Sequence, residues 1–385
     1  MTTTVSLESL RDLAAFRALN GCAISLFLDL HPSVSPTAGE TATRVGSLLE
    51  RATKSHGATR RDLAHEVREG LKADFERLHR FFAEELDRDG VHGLAVYAAG
   101  LDNVWRVLAL SSSVPDAARV SDDFLLAPLV PLLGRGNGAL VAVVNREQGR
   151  LLALRDGRLD ELVDRTEDAP SRHDQGGWSQ ARFQRHIENV AHEHYKTVAE
   201  ELERAFRRLD RPRIVVACSD DVRPEFADAL ATEVAEAVVG WVAVEQHAGP
   251  AELHEAALPL LEQWRAERET ELVERWREEA GRDARGVAGW KDTFEAASDG
   301  RVETLLYQEG LYQEGAHREA FRCPACGRAS LDRSACPFDG TKLEPRDDGL
   351  DLAIRLTLVH GGEVRAVEHR RDLDPVAGIG AILRY

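Results

Sequence analysis

The sequence predicts an α/β protein of three domains, and three observations carry that expectation. Short β-leaning apolar runs alternate with longer segments of helical spacing along all 385 residues. The stretch Gly134-Arg135-Gly136-Asn137-Gly138 interrupts this alternation and is the clearest linker in the chain. A chain of this length can also bury two or three separate cores. We place the domains at residues 1–135, 138–255 and 265–385, with a cysteine-bearing insertion over 320–345.

In the first domain, CAISLFLDL (22–30) is an apolar run ended by His31-Pro32, which predicts a buried strand. Residues 60–86 bring Leu71, Phe75, Leu78, Phe81 and Phe82 near one helical face. GLAVYAAG (93–100) and VWRVLALS (104–111) read as a strand pair joined across Leu101-Asp102-Asn103. The second domain opens with the strand ALVAVVN (139–145) and continues through RLLALRDGRLDELV (150–163), where Asp156-Gly157 signals a hairpin. A polar loop over 164–178 leads to a long helix over 179–209. Its positions Phe183, Ile187, Val190, Ala191, Val198, Leu202, Phe206 and Leu209 form one stripe, and Ser179 is its expected N-cap. Then follow a strand at 213–218, a helix at 223–239 and a strand at 240–246. A helix from Ala251 enters the third domain, where 291–307 reads as helix, glycine stop and strand.

Composition excludes several classes. No apolar run is long enough to span a membrane, and the opening MTTTVSLESLRDL lacks the basic and apolar regions of a signal peptide. Five cysteines, three of them clustered, do not make an extracellular disulfide framework. The expected compartment is the cytoplasm. A net charge of −17 argues against a DNA-binding or RNA-coating protein. The charge is uneven, however. Residues 171–213 hold nine basic against seven acidic side chains, whereas 251–300 hold seven against thirteen.

That less acidic stretch contains DQGGWSQARFQRH (174–186), in which a glycine pair precedes a tryptophan and an arginine-bearing helix. Read from spacing alone, it is a helix-entry loop with a solvated helix face. His192 and His194 lie two apart on that helix and point to different sides, so they make no metal pair. Further on, CPACGRASLDRSACPFDG (323–340) contains two Cys-Pro-x-x turns of zinc-ribbon form. Cys323, Cys326 and Cys336 are the expected ligands of a structural zinc, with Asp339 at the fourth position and His317 as another candidate. Cys22 and Cys218 read as core residues.

GGWSQARFQRHIENVAHEHYKTVAEEL resembles the glycine-glycine-glutamine region of the eukaryotic and archaeal class I translation release factors, roughly GGQSxxRFxRxxExxxHxxxxxVAE. Gly176, Gly177, Ser179, Arg182, Phe183, Arg185, His192, Val198, Ala199 and Glu200 stand at or near the matching places. DGRVETLLYQEGL (299–311) is similar to that family's third domain and GIGAILRY (378–385) to its last strand. The resemblance implies a ribonuclease-H-like catalytic middle domain and a ribosomal-protein-like last domain. Zinc-ribbon-type insertions occur in the third domain of archaeal members.

One departure is central. Trp178 stands where the termination factors carry their catalytic glutamine, and a glutamine follows at Gln180. The order Gly-Gly-x-Ser-Gln resembles the Vms-like branch, including its actinobacterial members, which release peptides from tRNA on stalled ribosomes. This implies that Gln180 positions water, with Gly176, Gly177 and Ser179 shaping the loop. Trp178, Arg182 and Arg185 would hold RNA. The first domain lacks Asn-Ile-Lys-Ser and Tyr-x-Cys-x-x-x-Phe, by which termination factors read stop codons. The expected activity is therefore peptidyl-tRNA hydrolysis on a ribosome or large subunit holding a stranded chain, with rRNA and tRNA as partners. The alternative is a catalytically inactive, Pelota-like ribosome-binding adaptor. A nuclease is disfavoured, because only Asp220 and Asp221 stand at a strand end, where they read as a turn.

Overall fold

The structure is a computed structural model. It describes residues 5–31, 33–34, 37–55, 63–87, 91–110, 112–135, 138–155, 157–166, 180–209, 211–245, 248–282, 284–312 and 318–385, with the backbone alone at 38, 55, 165–166 and 180–188. Contacts divide the chain into two compact units, Met1–Gly134 with Glu269–Tyr385, and Arg135–Arg268.

The N-terminal segment begins with α1 (Leu7–Ala15), which Ser6 and Ser9 cap reciprocally, each hydroxyl accepting the other's backbone N–H at 3.0 Å. There follow β1 (Ala23–Asp29), α2 (Ala38–Ser55), α3 (His65–Arg80), β2 (Gly93–Ala99), β3 (Val104–Leu110) and β4 (Ala117–Ser121). The strands form an antiparallel sheet in the order β3-β2-β1-β4. Side-chain alternation decides which residues meet which helices. Ile24, Leu26 and Val96 pack with Val45, Leu48 and Leu78 of α2 and α3, whereas Phe27 and Tyr97 belong to the opposite core with Leu10 and Leu13 of α1. The helix expected at 60–86 is α3, which continues as a π-helical turn over Phe81–Glu85; residues 60–62 lie outside the described residues.

The second unit contains β5 (Ala139–Val144), β6 (Gln148–Arg155), β7 (Arg158–Thr166), α4 (Gln180–Arg208), β8 (Arg213–Ala217), α5 (Arg223–Ala229), α6 (Thr232–Ala237), β9 (Val238–Val242) and the start of α7 (Pro250–Gly281). Its sheet has the order β7-β6-β5-β8-β9, with β5, β6 and β7 antiparallel and β8 and β9 parallel to β5. Counted within the unit, that is 3-2-1-4-5, the ribonuclease-H-like arrangement. Both faces are covered, as a sheet with parallel strands requires. Leu140, Ala142 and Val144 face α4 and its neighbours, and Val141 and Val143 face Leu253, Ala257 and Leu261 of α7. The single helix expected at 223–239 is corrected to two. Leu230 and Ala231 adopt extended backbone between α5 and α6, and the following strand therefore starts at Val238.

The C-terminal segment adds β10 (Gly286–Ala288), α8 (Trp290–Ser298), β11 (Val302–Gln308), β12 (Ala320–Arg322), β13 (Ala329–Ser330), β14 (Glu344–Arg346), α9 (Gly349–Val359), β15 (Glu363–Val367) and β16 (Ile379–Leu383). The main sheet runs β10-β16-β11-β15, and β13-β12-β14 form a small separate sheet. At Gly380 an added Cβ would lie 2.6 Å from the Trp276 indole, so α7 can approach β16 only because this residue is glycine.

The N- and C-terminal segments share one apolar core, and within it lies a cluster of buried charges. Asp123 Oδ1 accepts from Arg119 at 2.8 Å and Arg346 at 2.9 Å, while its Oδ2 faces Arg322 at 3.3 Å and Arg355 at 3.4 Å. Arg119 also pairs with Asp348. Asp351 Oδ1 accepts the backbone N–H groups of Leu126 at 2.5 Å and Ala127 at 3.0 Å, and Arg355 donates to the carbonyls of Ala14 and Phe124. Such a cluster contributes modest net stability, because desolvation offsets Coulomb attraction. Loss of one member leaves an uncompensated buried charge.

Arg355→Met is accordingly expected to cost about 3–5 kcal/mol in urea unfolding; a cost below about 1 kcal/mol would show that the cluster does not hold the two segments together. Acid should act on the same place. Burial pushes the Asp122 carboxyl up, but Arg346, Arg17 and Arg322 more than reverse this and bring it from 3.8 to about 2. A carboxyl depressed in the folded state contributes stability above its unfolded pKa and loses it as pH falls through the folded one. Unfolding midpoints measured from about pH 4 down to pH 2 should therefore fall, and Asp122→Asn should flatten that slope.

Candidate functional site

The residues singled out for catalysis meet the structure at the start of α4. Gly176, Gly177, Trp178 and Ser179 lie outside the described residues, and α4 begins at Gln180. Gln180, Arg182 and Arg185 thus occupy the first two turns of a helix of 29 residues. The expected apolar stripe holds further along: Ala191, Val198, Leu202 and Phe206 are buried against the sheet, as is Tyr195. Gly149 on β6 permits this packing, since a Cβ there would lie 2.3 Å from Val198 Cγ2. Gln180 stands eleven residues before Ala191, or about 16 Å along the helix axis at 1.5 Å per residue. His192 is exposed and His194 buried, so the two histidines part to different sides as their spacing predicts. Asp221 pairs with Arg146 at 3.1 Å in the exposed turn after β8, and Asp220 and Asp221 join no metal-competent cluster among the described residues.

The cysteine segment forms a built cluster. Cys323 and Cys336 start two matching turns, in which Gly327 and Gly340 donate their N–H groups to the carbonyls of Cys323 and Cys336 at 2.9 Å. Both glycines have positive φ, 78° and 72°, where another side chain would be strained. Phe321 and Leu343 pack with the two buried cysteines beneath the turns. Cys326 Sγ lies 3.6 Å from Cys336 Sγ, Cys323 Sγ lies 3.4 Å from Asp339 Oδ2, and the four ligand atoms all fall within 4.8 Å of one another. Bonds of about 2.3 Å to a tetrahedral zinc require sulfur atoms about 3.8 Å apart, so this donor set fits that ion. Burial opposes ionisation of Cys323, but the N–H groups of Cys326 and Ala325, together with the Cys326 and Cys336 thiols, outweigh it and lower its pKa. Thr341 holds the Asp339 carboxyl well below its ordinary range. His317 lies outside the described residues. Cys218 is buried as expected, but Cys22 is only half-buried, because it precedes β1 instead of lying within it.

A second group, Asp123, Asp348 and Asp351, also brings carboxylates within 4.8 Å. Arg119, Arg346 and Arg355 already neutralise it, so it is an ion cluster and not a cation site. Sequence reasoning missed it. The available signal was Asp351 and Arg355, four residues apart in the otherwise apolar stretch GLDLAIRLTLV.

Residues 125–262 match the model of Bacterial archaeo-eukaryotic release factor family 10. Peptide chain release factor subunit 1 of Methanopyrus kandleri is 31% identical over 218 residues, 55% of this chain and 52% of that protein. The chain thus spans about half the length of that relative. The Archaeoglobus fulgidus protein of the same name is 30% identical over 284 residues, 68% of this chain and 69% of that protein. Among solved structures, a model of ribosome-bound archaeal Pelota and ABCE1 shares 16% identity over 76% of this chain and 77% of its own, with a TM-score of 0.43. The Archaeoglobus fulgidus relative, 30% identical and covered by this chain over more than two thirds of its length, shows the family: the chain belongs to the eukaryotic and archaeal-type peptide chain release factor superfamily.

Proposed function

We propose that this protein hydrolyses the ester joining a nascent peptide to tRNA and so clears stalled ribosomes, or their large subunits, in the cytoplasm. Membership of a release-factor superfamily supplies the reaction class. The observation that carries the particular reading is the order Gly-Gly-Trp-Ser-Gln over residues 176–180, which leads into α4. This order resembles that of the Vms-like branch.

The chemistry suits a neutral side chain. The scissile ester is surrounded by phosphate-rich RNA, which would repel a carboxylate. A carboxamide donates and accepts at once, so Gln180 can hold a water in line with the ester carbonyl. It is a weak base, so its part is positioning. Backbone N–H groups of the loop, or the ribose and RNA, would stabilise the developing oxyanion. Gly176 and Gly177 would let the backbone approach closely and shape the loop with Ser179, Arg182 and Arg185 would engage phosphates, and Trp178 would stack on an unpaired base. Cys323, Cys326, Cys336 and Asp339 would hold a structural zinc, which supplies cross-linking of two turns and no chemistry to the ester.

Trp178, in place of the termination factors' glutamine, favours one second reading: a Pelota-like adaptor that binds ribosomes without hydrolysis.

Peptide release from large-subunit complexes carrying labelled peptidyl-tRNA separates the two. Wild type should release peptide, and Gln180→Ala should lose about 10²-fold or more in rate while still binding. Binding without release by either protein would establish the adaptor. For the metal, zinc in the purified chain should be stoichiometric, and chelation should lower the unfolding temperature. At free zinc a thousand times Kd the expected loss is about 4 kcal/mol. Cys336→Ser should abolish both the metal content and the chelator sensitivity, and a chain that never takes up zinc would remove this assignment.

A further inference from the structure

The first unit contains a groove that the release reading leaves unused. β4 is the outer strand of the N-terminal sheet, and β14 is an outer strand of the small sheet bearing the cysteine turns. Both border a cavity of about 890 Å³, lined by residues 118–122 on one side and 344–347 on the other. Side chains of a strand alternate between faces, so an uninterrupted run lines a cavity only where the strand presents its edge. Such an edge carries unpaired N–H and C=O groups that can accept another strand. Among the described residues, no strand pairs with the outer edge of β4 or of β14. Pro345 lacks an N–H on β14, which leaves β4 as the edge better able to pair.

The lining and rim indicate what such a strand would be. Leu19, Leu63 and Val67 make an apolar surface, and Leu19 is 86% exposed at its mouth. Glu319, Glu344 and Asp347 are exposed around it. The two bordering arginines, Arg119 and Arg346, are already engaged by Asp122, Asp123 and Asp348. The groove therefore offers open carboxylates with no uncommitted cation among its lining residues. Phosphate-rich RNA would be repelled there. We infer that this groove binds an extended, basic segment of a partner protein, which pairs along β4 and sets lysine or arginine side chains against Glu319, Glu344 and Asp347.

The test uses the full chain and two fluorescein-labelled peptides, one alternating lysine with valine and one alternating glutamate with valine, read by fluorescence polarisation. The basic peptide should bind and the acidic one should not. The triple variant E319K/E344K/D347K, altered at exposed positions, should weaken binding at least about tenfold. A control reversal of equal charge at exposed sites elsewhere, E200K/E255K/E278K, should leave binding within about threefold. Half-buried Cys22 lines the groove, so saturating basic peptide should slow its alkylation by iodoacetamide while Cys218 reacts as before. Four results would each overturn the inference: equal loss in both triple variants, unchanged alkylation of Cys22, a labelled single-stranded RNA that protects Cys22 instead, or no peptide binding up to roughly 1 mM.

Discussion

The buried pairing of Asp123 and Asp351 with Arg119, Arg346 and Arg355 is the constraint on which the larger unit depends. Asp351 closes onto the backbone of Leu126 and Ala127, and Arg355 reaches the carbonyls of Ala14 and Phe124. Charges this deep tolerate few arrangements, because each unpaired group carries a desolvation cost. A purely apolar contact between α9 and the N-terminal segment could slide. The ion cluster gives that contact one register, and so joins two stretches separated in the chain by the whole second unit.

The second unit is organised differently, by apolar burial on both faces of one sheet. Its core fixes α4 from Ala191 onward through residues that touch β5 and β6, with Gly149 permitting the closest approach. The head of the helix, where Gln180, Arg182 and Arg185 lie, falls before the first described buried position.

The cysteine turns belong to the same logic as the ion cluster. β12 and β14, which flank them, carry Arg322 and Arg346, and both arginines reach the Asp122–Asp123 pair. Whatever orders the small sheet therefore also orders two of the cations that the buried carboxylates need. Glycines at positive φ, a shared apolar base of Phe321 and Leu343, and four converging donors supply that order locally.

Much of this was legible in residue order, and for physical reasons. Short apolar runs announced β1, β2, β3, β5 and β8, since burial of most side chains along a strand is a local property of the chain. The stripe of α4 and the Cys-Pro-x-x spacing were equally local, as was the Gly-Gly-Trp-Ser-Gln order that points to the superfamily. The sequence misled where two short helices replace one: nothing in apolar spacing marks the extended Leu230-Ala231 step. Only the tertiary structure decided the rest. It united the N- and C-terminal segments into one unit, turned Asp123 and Asp351 inward, and set the edges of β4 and β14 around one groove. Each of these joins residues roughly two hundred positions apart, and a linear pattern carries no record of which distant charges or edges will meet.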